Sequence, residues 1–261
     1  MKKLFLMTLA LLALGSTVAL ADSMDLGWVG CRSSANNTSA TLNDVTAAQF
    51  VCNDQANPNT AIRNLVASFK LTNPTYTTFS GATIQLDWIT GGGATVPDWW
   101  DVANKFPDPN NCRNGGMARA TVGTLSACAN PYGGASQQGG EAFTTGLLGP
   151  GTYRIVADHV PVGGAPFVAA GTGGYAAMAI AVNALGSVDD LDPTIVLCPG
   201  CQTPVCFVLN YVAFGVDGVL HESTTATFRN SVTWMGGTGA NCPGATPTRN
   251  ATWGQVKALY R

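Results

Sequence analysis

The sequence predicts an all-β protein: a disulfide-stapled antiparallel sandwich or jelly roll that ends in a short C-terminal amphipathic helix. Three observations predict it. Apolar residues recur at period two in several runs, as they do on strands with one buried face. Clusters of turn-forming residues separate those runs. The 261-residue chain also carries eight cysteines behind an N-terminal segment of export type, a combination that points to a disulfide framework.

The chain begins MKKLFLMTLALLALGSTVALAD. Lys2 and Lys3 precede an apolar run from Leu4 to Leu14, and Ala19-Leu20-Ala21 closes the segment. A basic start, a short apolar centre and an A-x-A site mark a secretory signal peptide over 1–21, cleaved before Asp22. The run falls short of the ~20 residues that span a bilayer. Its best downstream rival, Tyr175 to Val182, is shorter still, so no membrane span is expected after cleavage. The expected address is secreted, periplasmic or cell-surface.

Charge argues in the same direction. The net charge is −2, and it becomes more negative when Lys2 and Lys3 leave with the leader. A nucleic-acid partner needs a basic stripe and an anionic bilayer needs a basic cluster; neither is present. Only 11% of residues are charged, against roughly 25% in an ordinary soluble domain. Gly, Ala, Thr and Asn take their place, a profile that suits a secreted β protein or an assembled surface protein better than a cytoplasmic enzyme.

The sandwich domain is expected over 22–241. In NLVASFKL, Leu65, Ala67, Phe69 and Leu71 share one face, and Val66, Ser68 and Lys70 the other. In ATIQLDW, Ala82, Ile84, Leu86 and Trp88 oppose Thr83, Gln85 and Asp87. CFVLNYVAF places Phe207, Leu209, Tyr211 and Ala213 together. Thr152 to Val160, Tyr175 to Asn183 and Thr225 to Trp234 are further strands; Gly116 to Gly123 and Thr46 to Cys52 are weaker ones. Asn57-Pro58, Asn73-Pro74, Gly91 to Gly93, Gly133-Gly134, Gly149-Pro150-Gly151 and Gly163-Gly164 mark turns between them. PDWWDVANKF suits one helical turn after Pro97, with Asp98 as its cap.

The last segment, 242–261, reads as a polar strap and a helix. Thr252 stands three residues before Gln255, the spacing of a capping box. Trp253, Val256 and Leu259 or Tyr260 then share a face, and Lys257 and Arg261 lie near the negative end of the dipole.

CPGCQTPVC concentrates Cys198, Cys201 and Cys206 in nine residues. A thioredoxin-type centre needs its C-x-x-C at a helix N-terminus, whereas this one precedes a strand and Thr203-Pro204 breaks any helix. A zinc knuckle needs a second cysteine or histidine pair, and only His159 and His221 exist. Structural disulfides remain. Proximity favours Cys31 with Cys52 and Cys112 with Cys128. Cys206 then ties the strap through Cys242 while Cys198 pairs with Cys201, or Cys201 takes the place of Cys206.

Other constellations are sparse. No G-x-S-x-G, H-E-x-x-H, Walker loop or G-x-G-x-x-G occurs; Gly171 to Gly174 lack the register. His159 follows Asp158 and His221 precedes Glu222, but strand neighbours face opposite sides, so neither pair is a dyad. Asp189, Asp190 and Asp192 form either a solvated acidic turn or a Ca²⁺ loop. Trp99 and Trp100, between Asp98 and Asp101, either plug one end of the sandwich or present a platform on which a sugar ring stacks while the acids take its hydroxyls. The sequons at Asn36, Asn37 and Asn250 read as chance in a bacterial chain.

Leu26 to Trp28 with Cys31, Cys201 to Asn210, and Thr252 to Arg261 carry a resemblance. They are similar to the LGW…C, C-x-T-P-x-C-x-x-L-N and TWGQVKxLYR segments of a group of exported bacterial cysteine-containing β proteins. The resemblance implies a shared tail plan and no activity, catalytic residue or ligand. The expected role is a structural or surface-assembly protein of the envelope or exterior, without enzymatic activity, partnered by itself or another envelope protein. A carbohydrate-binding module is the alternative, and a hydrolase using Asp98, Asp101 or Glu222 the third reading.

Overall fold

A computed structural model describes residues 19–20, 23–28, 31, 44–45, 52, 62–71, 76–90, 96–100, 118–120, 128–133, 135–145, 149–163, 165–166, 174–183, 198–226 and 230–235. Among these the regular structure is strand, apart from one 3-10 turn. The larger sheet holds β1 (Ala19–Leu20), β3 (Asp44–Val45), β5 (Thr78–Thr90), β7 (Gln137–Gln138), β8 (Glu141–Thr145), β9 (Thr152–Pro161), β10 (Ala165–Pro166), β12 (Val205–Val216), β13 (Val219–Ser223) and β14 (Ser231–Trp234). Its spine runs β1-β13-β12-β5-β9-β7, with β14 beside the first part of β12 and β8 beside β9. The smaller sheet runs β2 (Ser23–Trp28), β4 (Ile62–Lys70), β11 (Tyr175–Asn183), β6 (Ala118–Ala120). Pairing is antiparallel except for β1 on β13 and β3 on β14. β1 lies inside the expected leader.

The sheets pack face to face as a sandwich, and rings fill the space between them. At one end Phe69 of β4 stacks on Phe214 of β12 at 3.9 Å and on Tyr175 of β11 at 5.3 Å. At the other, Trp28 of β2 meets Phe207 of β12 edge-on at 5.5 Å. β11 lies between β4 and β6 with Ala176, Ala177, Met178 and Ala179 fully buried; small side chains let it be covered on both sides. An irregularity between Ala176 and Met178 marks a bulge at Ala177. The buried Tyr132 hydroxyl donates to the Ala177 carbonyl at 2.7 Å, so the bulge leaves no bare acceptor. Burial raises the Tyr132 phenol pKa and keeps that donor protonated.

The ATIQLDW alternation holds: Ala82, Ile84, Leu86 and Trp88 enter the core. Two expectations are corrected. Val66 and Ser68, assigned to a wet face of β4, are buried at 0% and 4% exposure, so both faces of this strand are covered. On β12 the pairing with β5 shifts between Leu209 and Tyr211. Asn210 is an extra residue there, and it reverses the phase of everything after it. Phe207 and Leu209 face the core, but Val212, Phe214 and Val216 follow them in, not Tyr211 and Ala213. The short turn after Pro97 is the 3-10 turn Asp98–Trp100. The strand expected over Thr225 to Trp234 is realised over Ser231–Trp234. Thr46 to Val51 and the Thr252 to Arg261 helix lie outside the described residues.

β12 and β13 are joined by Asp217-Gly218, with φ of 48° and 76°. Positive φ at both central positions is the turn whose twist suits a two-residue hairpin. The Asp217 carboxylate reaches back 140 residues along the chain. It accepts from the Thr77 hydroxyl at 2.8 Å, from the Thr78 amide at 2.7 Å and from the Thr78 hydroxyl at 2.9 Å. These bonds, the Thr77 hydroxyl foremost, hold its pKa down at about 2. A depressed carboxylate adds stability that is present above about pH 4 and is lost as pH falls towards 2. Asp217→Asn, which still tolerates the left-handed turn, is therefore expected to lower the urea midpoint at pH 7. The gap from wild type should close by pH 2; a gap that persists unchanged would show that the clasp is not electrostatic.

Candidate functional site

Two regions gather the residues that chemistry would use. In the first, Pro97 to Trp100 fold under the CPGC turn. The Trp99 amide donates to the Pro199 carbonyl at 3.0 Å, and the Trp100 indole N–H donates to the Gly200 carbonyl at 3.0 Å. Gly200 has φ of 114°, and a Cβ there would stand 2.5 Å from Pro97 Cβ. Only glycine lets the turn sit this close. Beneath it Trp99 and Trp100 cross at 4.4 Å, both meet Trp234 within 5.7 Å, and Trp100 reaches Phe207 at 5.6 Å. The Trp234 indole donates to the Cys201 carbonyl at 2.6 Å.

Trp99 and Trp100 are each 0% exposed. That corrects the sugar-platform expectation: rings that fill the end of the core offer no face to a pyranose, and the plug reading describes them. Asp98 is exposed at the start of the turn, and Asp101 lies outside the described residues.

The same turn settles the role of the C-x-x-C. Cys201 is bonded to Cys52, 149 residues away, with Cα atoms 5.8 Å apart. Cys31 is bonded to Cys128, 97 residues away, at 5.0 Å. Cys198 and Cys206 are disulfide-bonded as well, while Cys112 and Cys242 lie outside the described residues. The local pairings Cys31–Cys52, Cys112–Cys128 and Cys198–Cys201 are thereby overturned, as is Cys201–Cys242. In a sandwich, neighbours in sequence leave along different strands, and partners are supplied by strands from elsewhere in the chain. Cys198 and Cys201 flank a turn whose sulfurs serve separate bonds, so they are not a redox pair.

The second region is the outer face of the larger sheet, organised by the bulge at Asn210. Arg154 on β9 donates to both carboxylate oxygens of Asp87 on β5, at 2.6 and 2.7 Å. The Asn210 amide donates to the same carboxylate at 2.7 Å. Asp87 is 1% exposed and Asn210 3%. Arg154 retains 21% side-chain exposure, so a buried carboxylate is neutralised by a guanidinium that keeps some water. One step along, the Tyr211 hydroxyl donates to Glu222 in a short hydrogen bond. Burial first, then the hydrogen bond and charge of Glu222, push the phenol pKa up. Tyr211 therefore remains a fixed donor to Glu222.

Of the expected carboxylates, the two described ones, Asp98 and Glu222, are not brought together. Trp234, on which Trp99 stacks, pairs with Val205, whereas Glu222 pairs with Ala213. From Val205 to Ala213 along β12 is roughly 25 Å at strand rise, far beyond the ~5–9 Å of a glycosidase pair. Asp189, Asp190 and Asp192 lie outside the described residues, among which no group of three or more potential metal ligands occurs. His159 and His221 are buried at 3% and 2%, while Asp158 is exposed and Glu222 half-buried. The opposite-face argument holds for both pairs. The sequence reading missed the Asp87, Arg154 and Asn210 cluster; the signal was an asparagine inside an otherwise apolar strand.

No protein-family model, curated protein or solved structure matches this chain. The class that its own geometry defines is an antiparallel, disulfide-stapled β-sandwich.

Two outcomes test this account. Replacing Cys52 and Cys201 together by serine is expected to cost about 2–5 kcal/mol in denaturant unfolding, as for a native disulfide closing a long loop. Arg154→Met strands a buried carboxylate and should cost about 3–5 kcal/mol. Adding Asp87→Asn should recover most of that loss in a double-mutant cycle; purely additive costs would mean that the ion pair is not coupled.

Proposed function

We propose that this protein is an exported structural or surface-assembly subunit without enzymatic activity. One observation carries the reading: the conspicuous chemical groups are built into the scaffold itself. The paired tryptophans and the C-x-x-C turn close one end of the core. Disulfides persist in oxidising compartments, which agrees with export. Among the described residues no helix is long and apolar enough to cross a membrane. The low charge content and the tail shared with the resembling exported proteins point the same way.

The carbohydrate-binding alternative has lost its stacking rings, and the hydrolase reading has Asp98 on the 3-10 turn and Glu222 on β13, well apart. Neither is favoured by an observation of its own. The test is light scattering coupled to size exclusion on the oxidised protein, with and without Thr252 to Arg261. A discrete oligomer that requires the tail is expected. A monomer indifferent to the tail would sink the assembly reading and return attention to ligands of the outer sheet face.

A further inference from the structure

β13 is a five-residue strand at the margin of the larger sheet. It pairs on one side with the end of β12 and, among the described residues, on the other with the two residues of β1. Its first two residues face water: Val219 is 40% exposed and Leu220 54%. The buried side chains are those of His221 and Ser223, so the imidazole is the large group that anchors this strand to the core.

That anchor is poorly suited to carrying charge. The His221 ring stacks on Phe214 at 5.1 Å and 13°, and Tyr76 meets it edge-on at 5.2 Å. Neither ring nitrogen has a hydrogen-bond partner. Val212 and Val216 flank Phe214 on the same face of β12. Tyr76 presents its ring, Glu222 lies on the opposite face of β13 bonded to Tyr211, and Asp217 at the hairpin tip is bonded to Thr77 and Thr78. A neutral imidazole fits this apolar slot, whereas an imidazolium would be a buried charge with no acceptor. Burial accordingly lowers the pKa of the ring.

We infer that β13 is an acid-released latch: protonation of His221 detaches this strand from the end of β12 and leaves the rest of the sandwich folded. What the release exposes is the backbone of Val212 to Val216, an edge to which another strand can add. The latch stands independently of the assembly reading. Because the closed state holds the ring neutral, closure is complete above the ordinary histidine pKa of about 6.5 and weakens as pH falls below it.

Hydrogen exchange on the oxidised full chain at pH 7.5 and pH 5.0, corrected for intrinsic rates, tests this. Linkage to a released histidine of ordinary pKa predicts that opening at Val219–Ser223 becomes up to about thirtyfold more frequent at pH 5.0. β5 and the residues of β9 away from the other buried histidine, His159, should hardly change. His221→Phe keeps the ring and the apolar fit, and should abolish the pH dependence at β13. An unchanged β13 in the wild type, an equal response in His221→Phe, or a loss spread evenly over β5 and β9 would overturn the latch. Should the variant fail to fold, the imidazole proton resonances of the wild type decide. A His221 midpoint below 6.5 with β13 amides shifting in step supports the latch, and a midpoint at or above it overturns it.

Discussion

Trp28 on β2 meets both Phe207 on β12 and Trp234 on β14 within 5.6 Å, and this cross-sheet contact is the one from which the rest of that end is built. Trp234 donates its indole N–H to Cys201 and lies against Trp99 and Trp100. Those rings in turn require the Gly200 turn above them. The Trp28 indole donates to the Thr233 carbonyl at 3.0 Å, fixing the ring to the opposite sheet. Large rings bury much apolar area for little side-chain entropy. That compensates for a smaller sheet in which β11, an inner strand, carries four alanines among its nine residues. The Cys52–Cys201 bond then limits the unfolded chain at the very turn that lids the cluster.

Polar groups play a different part. The Asp87–Arg154 pair is of a kind whose desolvation cost offsets much of its attraction. Its reach across β5, β9 and β12 fixes which residues lie opposite one another. A one-residue slip would separate the carboxylate from the guanidinium and turn the core side chains outward. The bulge at Asn210 serves the same end. It re-aims the amide at Asp87 and reverses the phase of β12, so Phe214 rather than Tyr211 enters the core. Tyr211, turned outward, finds Glu222.

The two ends of the sandwich differ in firmness. The tryptophan end is closed by a turn, a disulfide and indole hydrogen bonds. The other end has the Asp217 clasp on Thr77 and Thr78 and a marginal strand whose one large buried side chain is an imidazole. Local opening belongs where buried anchors are few, and β13 is such a place. Stapling one end allows the other to respond to conditions without loss of the fold.

The sequence by itself determined the class and the strand positions. Alternation in ATIQLDW and TYRIVADHV is a local property of the backbone, and β5 and β9 lie where it places them, while the almost wholly apolar YAAMAIAVN becomes the doubly covered β11. The hairpin at Asp217-Gly218 was equally legible, since positive φ at both positions asks for such residues, although the reading passed over it. Only the tertiary structure decided which cysteines meet, because that depends on which strands cross rather than on spacing along the chain. It alone buried Trp99 and Trp100, since a Trp-Trp pair reads the same as a plug or a platform until something covers it. It alone set the phase of β12 beyond Asn210. A bulge is a choice made by two strands together, and one strand's pattern does not contain it.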